Sequence, residues 1–316
     1  VTWEKSGNMN VGVEAQLFDN RVAINAEYYN KKTVDMLLSY PMATSTGFNG
    51  YNANVGNMRN SGFELELRVT PVRTDDFNWD ITWMGSTVKN KVLKLTGESD
   101  EIMPVNTFYM AKSAGVDPAT GAQLDWVYDT DENGNRINER ISSDYEKAAT
   151  SKYYLGSRIP DLYGSLGTSL SWKGLDLSIL TTYSIGGKVY DSLYAGSMNN
   201  TYFNNAWNTH ELRRWQKPGD ITDVPRVEVG GTYTTTDRFL IDASYFTIKN
   251  ITLGYNLPKA WMNKAHLNSV RVFGSVDNLA IFSHLKGMDP QYNFAGETNY
   301  SYSPNKTFSF GVEVNF

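Results

Sequence analysis

The sequence predicts an all-β, membrane-spanning antiparallel up-and-down β-barrel. Three observations carry that expectation: strict period-two alternation in successive segments, connections that alternate short and long, and an abundance of rings without a membrane helix. The 316 residues contain 20 Tyr, 14 Phe and 8 Trp but no Cys. Mean hydropathy is -0.44, and no run of about 18 apolar residues could form a transmembrane helix. A barrel is compatible with that average, because each strand turns one apolar face to lipid and one polar face inward.

The alternation begins in the first strand. Met9, Val11, Val13, Ala15 and Leu17 share one face, while Asn10, Gly12, Glu14 and Gln16 share the other. Asp19-Asn20-Arg21 reads as a tight turn, and Val22, Ile24, Ala26 and Tyr28 then return as a hairpin partner. The pattern recurs in Phe63, Leu65, Leu67 and Val69, and in Trp79, Ile81 and Trp83. Leu166 to Trp172 and Leu175 to Tyr183 form another hairpin around Lys173-Gly174. Tyr245 to Tyr255, Val270 to Val276 and Phe308 to Phe316 complete the clear set, and a weaker pair falls at Phe108 to Gly115 and Gln123 to Tyr128. The expected total is about eleven strands, each near the spanning length of roughly 9 to 11 residues.

Short connections are expected near Asp19, Pro71 to Phe77, Asp117 to Gly121, Lys173, and Leu257 to Asn268. Long ones are expected over Pro41 to Val55, Val92 to Asn106, Asp129 to Pro160, Gly186 to Arg238 and Ser283 to Asn305. With Phe316 on the periplasmic side, every short turn is periplasmic and every long loop extracellular, as in outer-membrane barrels. Phe18, Trp79, Trp172 and Phe316 then lie together at the periplasmic interface, where an aromatic girdle is expected. A soluble β-sandwich would also alternate, but needs no one-sided loop parity.

The net charge of -5 excludes nucleic acid as a partner, because a phosphate backbone demands a basic face. His210, His266 and His284 are scattered and show no metal or catalytic spacing; no catalytic residue and no cofactor are expected. Glu14, Glu64, Glu66 and Asp80 occupy the polar face of successive strands, as a hydrated lumen wall would. Asp129, Asp131 and Asn133 resemble the start of a calcium loop, but the twelfth position is Arg140 rather than a bidentate Glu. They stay open as a looser cation site against an Asx-rich turn. In the longest loop Tyr194, Tyr202, Phe203, Trp207, Arg213, Arg214 and Trp215 could stack on sugar rings or meet a partner protein; the alternative is that they pack the loop on its neighbours. Phe308, Phe310, Val314 and Phe316 form a C-terminal aromatic signature of the kind that marks barrels for assembly.

Several stretches together resemble the SusC/RagA type of TonB-dependent outer-membrane transporter of Bacteroidetes, over essentially the whole chain. They are Thr2 to Ser6, Ser45-Thr46-Gly47-Phe48, Asn54 to Asn57, Asn60 to Leu65, Ala114 to Gly121, Ile185 to Tyr190, Asp242 to Phe246, Lys249 to Tyr255, Asp277-Asn278-Leu279 and Gly287 to Pro290. That resemblance implies a barrel of about 22 strands with an N-terminal plug. Residues 1–316 would then be the C-terminal part of the barrel domain, its plug and earlier strands lying before Val1, which begins without a signal peptide. It also implies energised import with a SusD-like surface lipoprotein and with TonB acting through the N-terminal region. The expected cargo is an oligosaccharide, with a peptide as the alternative. A passive porin or a surface adhesin is the competing class.

Overall fold

The computed structural model describes residues 1–95, 105–199, 201, 206–228, 235–284, 289–291 and 302–316. Its strands, in chain order, are β1 (Lys5–Leu17), β2 (Val22–Pro41), β3 (Gly50–Arg73), β4 (Phe77–Ser86), β5 (Lys89–Lys94), β6 (Thr107–Val116), β7 (Gln123–Thr130), β8 (Arg136–Ser142), β9 (Lys152–Ser157), β10 (Leu162–Trp172), β11 (Leu175–Ile185), β12 (Lys188–Tyr190), β13 (Leu240–Asp242), β14 (Tyr245–Asn256), β15 (Ser269–Ser283) and β16 (Thr307–Asn315). Three short helices punctuate them: α1 (Tyr145–Thr150), α2 (Ser192–Ser197) and α3 (Lys259–Ala265).

One antiparallel sheet runs β1-β2-β3-β4-β10-β11-β14-β15-β16, and β5 prolongs β4 along β3 in unbroken register. Among the described residues the sheet has nine wall strands, and β1 and β16 are its two edges. Its register explains the alternation. Leu17, Val22, Val69, Ile81, Thr168, Ile179, Ile251, Val276 and Phe308 stand side by side across all nine strands. One residue along, on the opposite face, the row reads Gln16, Ala23, Arg68, Thr82, Gly167, Leu180, Asn250, Asp277 and Thr307. A one-residue slip of any strand would swap the two rows. The single polar member of the first row is internally satisfied, since the Thr168 hydroxyl accepts from Trp79 Nε1 at 2.9 Å and donates to the Asp80 carbonyl at 3.0 Å.

The expected pair at Phe108 to Gly115 and Gln123 to Tyr128 is not part of the wall. It supplies β6 and β7 of a separate four-stranded sheet, β8-β7-β6-β9, within one excursion between β5 and β10. Phe108, Ala111 and Val127 are buried there. Alternation reports that one face is covered; it does not report whether lipid or protein covers it. The Asp117 to Gly121 turn therefore belongs to that sheet rather than to the short-turn end. Because two strands leave the wall together, the parity survives. The turns at 18–21, 74–76 and 173–174 and the α3 connection at 257–268 lie at the Phe316 end, and the excursions at 42–49, 95–161, 186–244 and 284–306 at the other.

Two tight turns follow local chemistry. Asp19 and Asn20 both hold positive φ between Phe18 and Arg21, and Lys173 and Gly174 do the same between β10 and β11, the handedness that matches strand twist. Strand length departs from expectation: β2 has 20 residues and β3 has 24. At about 3.4 Å per residue the β2–β3 hairpin outreaches a hydrocarbon layer of about 30 Å, so the expected loop at Pro41 to Val55 shrinks to residues 42–49 between Pro41 of β2 and Gly50 of β3.

Burial is sorted differently in the two parts. Wall rings and aliphatics such as Val13, Phe63, Leu253 and Phe310 are exposed, whereas Phe108, Tyr190, Ala195, Met198, Val224 and Phe239 form a conventional core under the long-loop excursions. The excursions also interlock. Trp215 Nε1 donates to the Pro118 carbonyl at 2.9 Å, Arg226 Nη1 to the Thr120 carbonyl at 3.0 Å, and the Ser113 amide to Asp237 Oδ1 at 2.8 Å.

Candidate substrate passage and its extracellular lip

The inward face of the wall is lined by groups that water can solvate. Glu14, Asn25, Glu66, Met84, Ser165, Thr182 and Thr247 form one cross-strand row, closed by a 2.6 Å hydrogen bond between the Thr182 and Thr247 hydroxyls. A cavity of about 320 Å³ opens on this face beside Glu27, Glu64, Glu66, Ser86 and Ser165. Asp80 accepts from Thr70 Oγ1 and Asn78 Nδ2 and lies 3.7 Å from Arg68. The strand carboxylates therefore line a wall, as their spacing suggested.

Nearer the long loops a larger cavity, about 520 Å³, lies between the wall residues Asn60, Asn90, Tyr163 and Tyr245 and the entry segment Arg158-Ile159-Pro160. Arg158 is 7% exposed and donates from Nη2 to the Pro290 carbonyl at 2.5 Å. Burial pulls its guanidinium below the ordinary arginine value.

The expected loop residues separate into two groups. Trp215 is a strut: its indole covers Gly121, where a Cβ would collide with it, and its amide donates to the Val224 carbonyl at 3.0 Å. Tyr194 packs edge-on to Phe239 and shares a 2.7 Å hydrogen bond with His210 Nδ1. Arg214 Nη1 reaches the Glu211 carbonyl at 3.4 Å. Trp207 and Arg213 are exposed, and Arg213 lies 3.6 Å from Asp223. Tyr202 and Phe203 lie outside the described residues.

Asp129 and Asp131 are engaged by the chain itself. Asp129 lies 2.6 Å from Lys147 Nζ and 3.1 Å from Arg140 Nη1, and accepts from Asn138 Nδ2. The bond from Lys147, then those from Asn138 and Arg140, lower its pKa to about 2. Asp131 accepts from the amides of Asn133 and Asn135 and from Asn135 Nδ2, closing the turn and lowering its own pKa. Among the described residues no group of three or more His, Cys, Asp or Glu could hold a metal ion.

A cluster that sequence reading missed sits on the β6–β9 sheet. Lys112 Nζ lies 5.1 Å from the centroid of Trp126, Arg136 lies 4.9 Å over Tyr128 and 5.1 Å over Tyr153, and Tyr109 stacks on Tyr154 at 4.6 Å. Tyr153 donates to Glu139 at 2.8 Å; burial first, then that acceptor, push its phenol up. The signal in the sequence was Trp126 and Tyr128 two residues apart, but the cations come from other strands.

A family model described as "TonB dependent receptor-like, beta-barrel" matches residues 1–279. The chain belongs to the TonB-dependent receptor β-barrel family. It is 30% identical over its whole length to TonB-dependent receptor P26 of Formosa agariphila, covering 35% of that protein. It is 28% identical over 99% of its length to the TonB-dependent receptor SusC of Bacteroides thetaiotaomicron, covering 32% of it. Among solved structures it resembles the RagAB peptide importer in its closed-closed state, with TM-score 0.86, 27% identity, and coverage of 100% of this chain and 36% of the other. The chain thus spans about a third of the length of these relatives. The sheet is a partial wall of a TonB-dependent receptor barrel in the outer membrane, of the SusC and RagA kind. Its short turns face the periplasm and its excursions the exterior.

Proposed function

We propose that the chain is the C-terminal part of a longer barrel that imports a nutrient actively across the outer membrane and does not transform it. The observation that carries this reading is the nine-strand register, which gives one lipid-facing row and one solvated row. The two unpaired edges support further wall strands from the same polypeptide, because an open edge in lipid leaves backbone groups unsatisfied. TonB would act through the part of the receptor outside these residues, and a SusD-like lipoprotein would meet the extracellular lip.

An oligosaccharide is the proposed cargo. Lys112 and Arg136, held over rings of the exterior sheet, are directional donors suited to sugar hydroxyls. The peptide reading is favoured by the likeness to the RagAB peptide importer. The test is growth and uptake by a strain lacking the full-length gene, supplied in turn with defined oligosaccharides and defined peptides, with and without TonB. Loss of TonB-dependent uptake of one class identifies the cargo. Uptake that persists without TonB but requires the barrel would replace this reading with a passive pore.

A further inference from the structure

On the lipid-facing side of the wall, the apolar band ends in basic residues near the exterior. Gly7, Lys32, Arg59 and Lys91 form one cross-strand row over β1, β2, β3 and β5. The next row toward the membrane is Met9, Asn30, Ser61 and Lys89, and the one beyond it is Val11, Tyr28 and Phe63. Lys32, Arg59, Lys89 and Lys91 are all exposed. Neighbouring positions in such a row stand about 5 Å apart, and like charges placed so repel. Among the described residues none of the four has a carboxylate within ion-pair distance. The nearby Asp35 is held by Lys5 at 3.3 Å, and Glu4 accepts from the Leu37 amide at 2.7 Å.

The row also lines a concavity. This concavity, of about 420 Å³, lies beside Gly7, Met9, Asn30, Lys32, Arg59 and Leu93, with Asn8 of the neighbouring position also reaching it; Met9 and Leu93 supply apolar surface and Lys32 and Arg59 the charge. Arg59 stands four residues beyond Phe63 on β3, which at the usual rise and tilt is about 10 Å above the aromatic edge of the band. That is headgroup height in the outer leaflet. Lys31, Asn60 and Asn90 occupy the same level on the luminal face, so the four basic side chains belong to the lipid-facing surface alone.

We propose that Lys32, Arg59 and Lys91, with Lys89 beneath them, bind the phosphate groups of an anionic glycolipid of the outer leaflet. An anion removes the mutual repulsion of the row, and Arg59 offers a planar fork suited to phosphate oxygens. The concavity accepts a sugar-phosphate headgroup while its chains continue down the Val11, Tyr28 and Phe63 surface. Each basic residue near an anionic membrane surface contributes about fivefold in affinity, so the triple substitution should cost about a hundredfold.

The test uses the full-length receptor in detergent, titrated with bis-phosphorylated lipid A and with the same lipid after phosphate removal. The wild type should prefer the phosphorylated lipid. The variant Lys32→Gln/Arg59→Gln/Lys91→Gln should lose about a hundredfold for it and carry less of it out of the native membrane, while Lys31→Gln should match the wild type. Equal binding of the two lipids by the wild type overturns the proposal. So does an equal loss in Lys31→Gln, or a triple variant that keeps lipid affinity but loses self-association, which would make the patch a contact between copies. If the triple variant fails the heat-modifiability test for folding, Arg59→Gln alone should lose about fivefold, and no loss overturns the proposal.

Discussion

Arg271 on β15 reaches over Gly254 of β14 to grip Asp176 on β11, with Nε to Oδ1 at 3.1 Å and Nη2 to Oδ2 at 2.6 Å. Asp176, Gly254 and Phe273 are register partners, so the pair bridges three wall strands on the luminal face near the periplasmic turns. The bridge needs a gap in the middle strand. A Cβ at Gly254 would lie 2.6 Å from both Asp176 carboxylate oxygens and would also meet the Arg271 guanidinium. The guanidinium also lies 5.0 Å over the Phe273 ring, which fixes its plane.

Gly254→Val should therefore destabilise the folded barrel by roughly 1–3 kcal/mol through overpacking, read as an earlier urea midpoint of the full-length protein in detergent. Arg271→Gln should soften the same region without that steric term. Combining it with Gly254→Val should cost less than the sum of the two. Strict additivity would mean that the glycine does not serve the bridge.

The lipid row sets a contrast between neighbours. Leu67→Arg, at a row shared with Ile24 and Trp83, should cost roughly 2–4 kcal/mol, as cations do on a barrel's lipid face at mid-depth. Glu66→Gln, one residue away on the luminal side, should be nearly silent. Folded fraction by gel shift of unheated samples separates them; equal losses would reverse the assignment of faces.

Phe308, Phe310 and Phe316 are 66%, 87% and 88% exposed along the last strand. If they act as an assembly signal, removing Phe316 or substituting Phe310→Ser should lower the amount reaching the outer membrane several-fold and raise periplasmic degradation. Purified, refolded protein should keep its unfolding midpoint. A fall in that midpoint of the same size as the assembly defect would make these rings ordinary wall residues.

Asp129 ties β7 to β8 and α1 through Arg140 and Lys147. Its lowered pKa, about 2 in the fold, fixes the sign: the carboxylate stabilises the hairpin fully above its unfolded value near 4, and that contribution fades as pH drops toward 2. Protease nicking in residues 129–150 should rise between about pH 4 and pH 2 with the barrel intact. Asp129→Asn should show the higher nicking already at neutral pH and lose the acid dependence.

The wall was legible because register and chemistry share one period. The lipid-facing residues from Met9 to Tyr28 of the β1–β2 hairpin and those of β16 could be marked from alternation, and the loop parity oriented them. Three features were not. β6 and β7 alternate like wall strands, because Phe108 and Val127 face a protein core that leaves the same imprint as lipid. The reach of β2 and β3 beyond the membrane was hidden by Asn52 and Asn54, which read as loop yet pair as strand. In the lip, composition picked out Trp215 and Tyr194 without distinguishing a strut from a contact. Nothing local announced the stacking of Arg136 on Tyr128 and Tyr153, since those partners meet only through tertiary pairing.

The interlocking of the two long excursions has a mechanical corollary. With Trp215 seated on the 117–121 turn and Ser113 tied to Asp237, residues 97 and 124 positions apart are fastened into one cap. Its stem runs through Gly186 and Gly187, which both hold positive φ, and a Cβ at either would collide with Asp161 or with the Arg158 carbonyl, so a side chain there would strain the point from which the whole cap is carried.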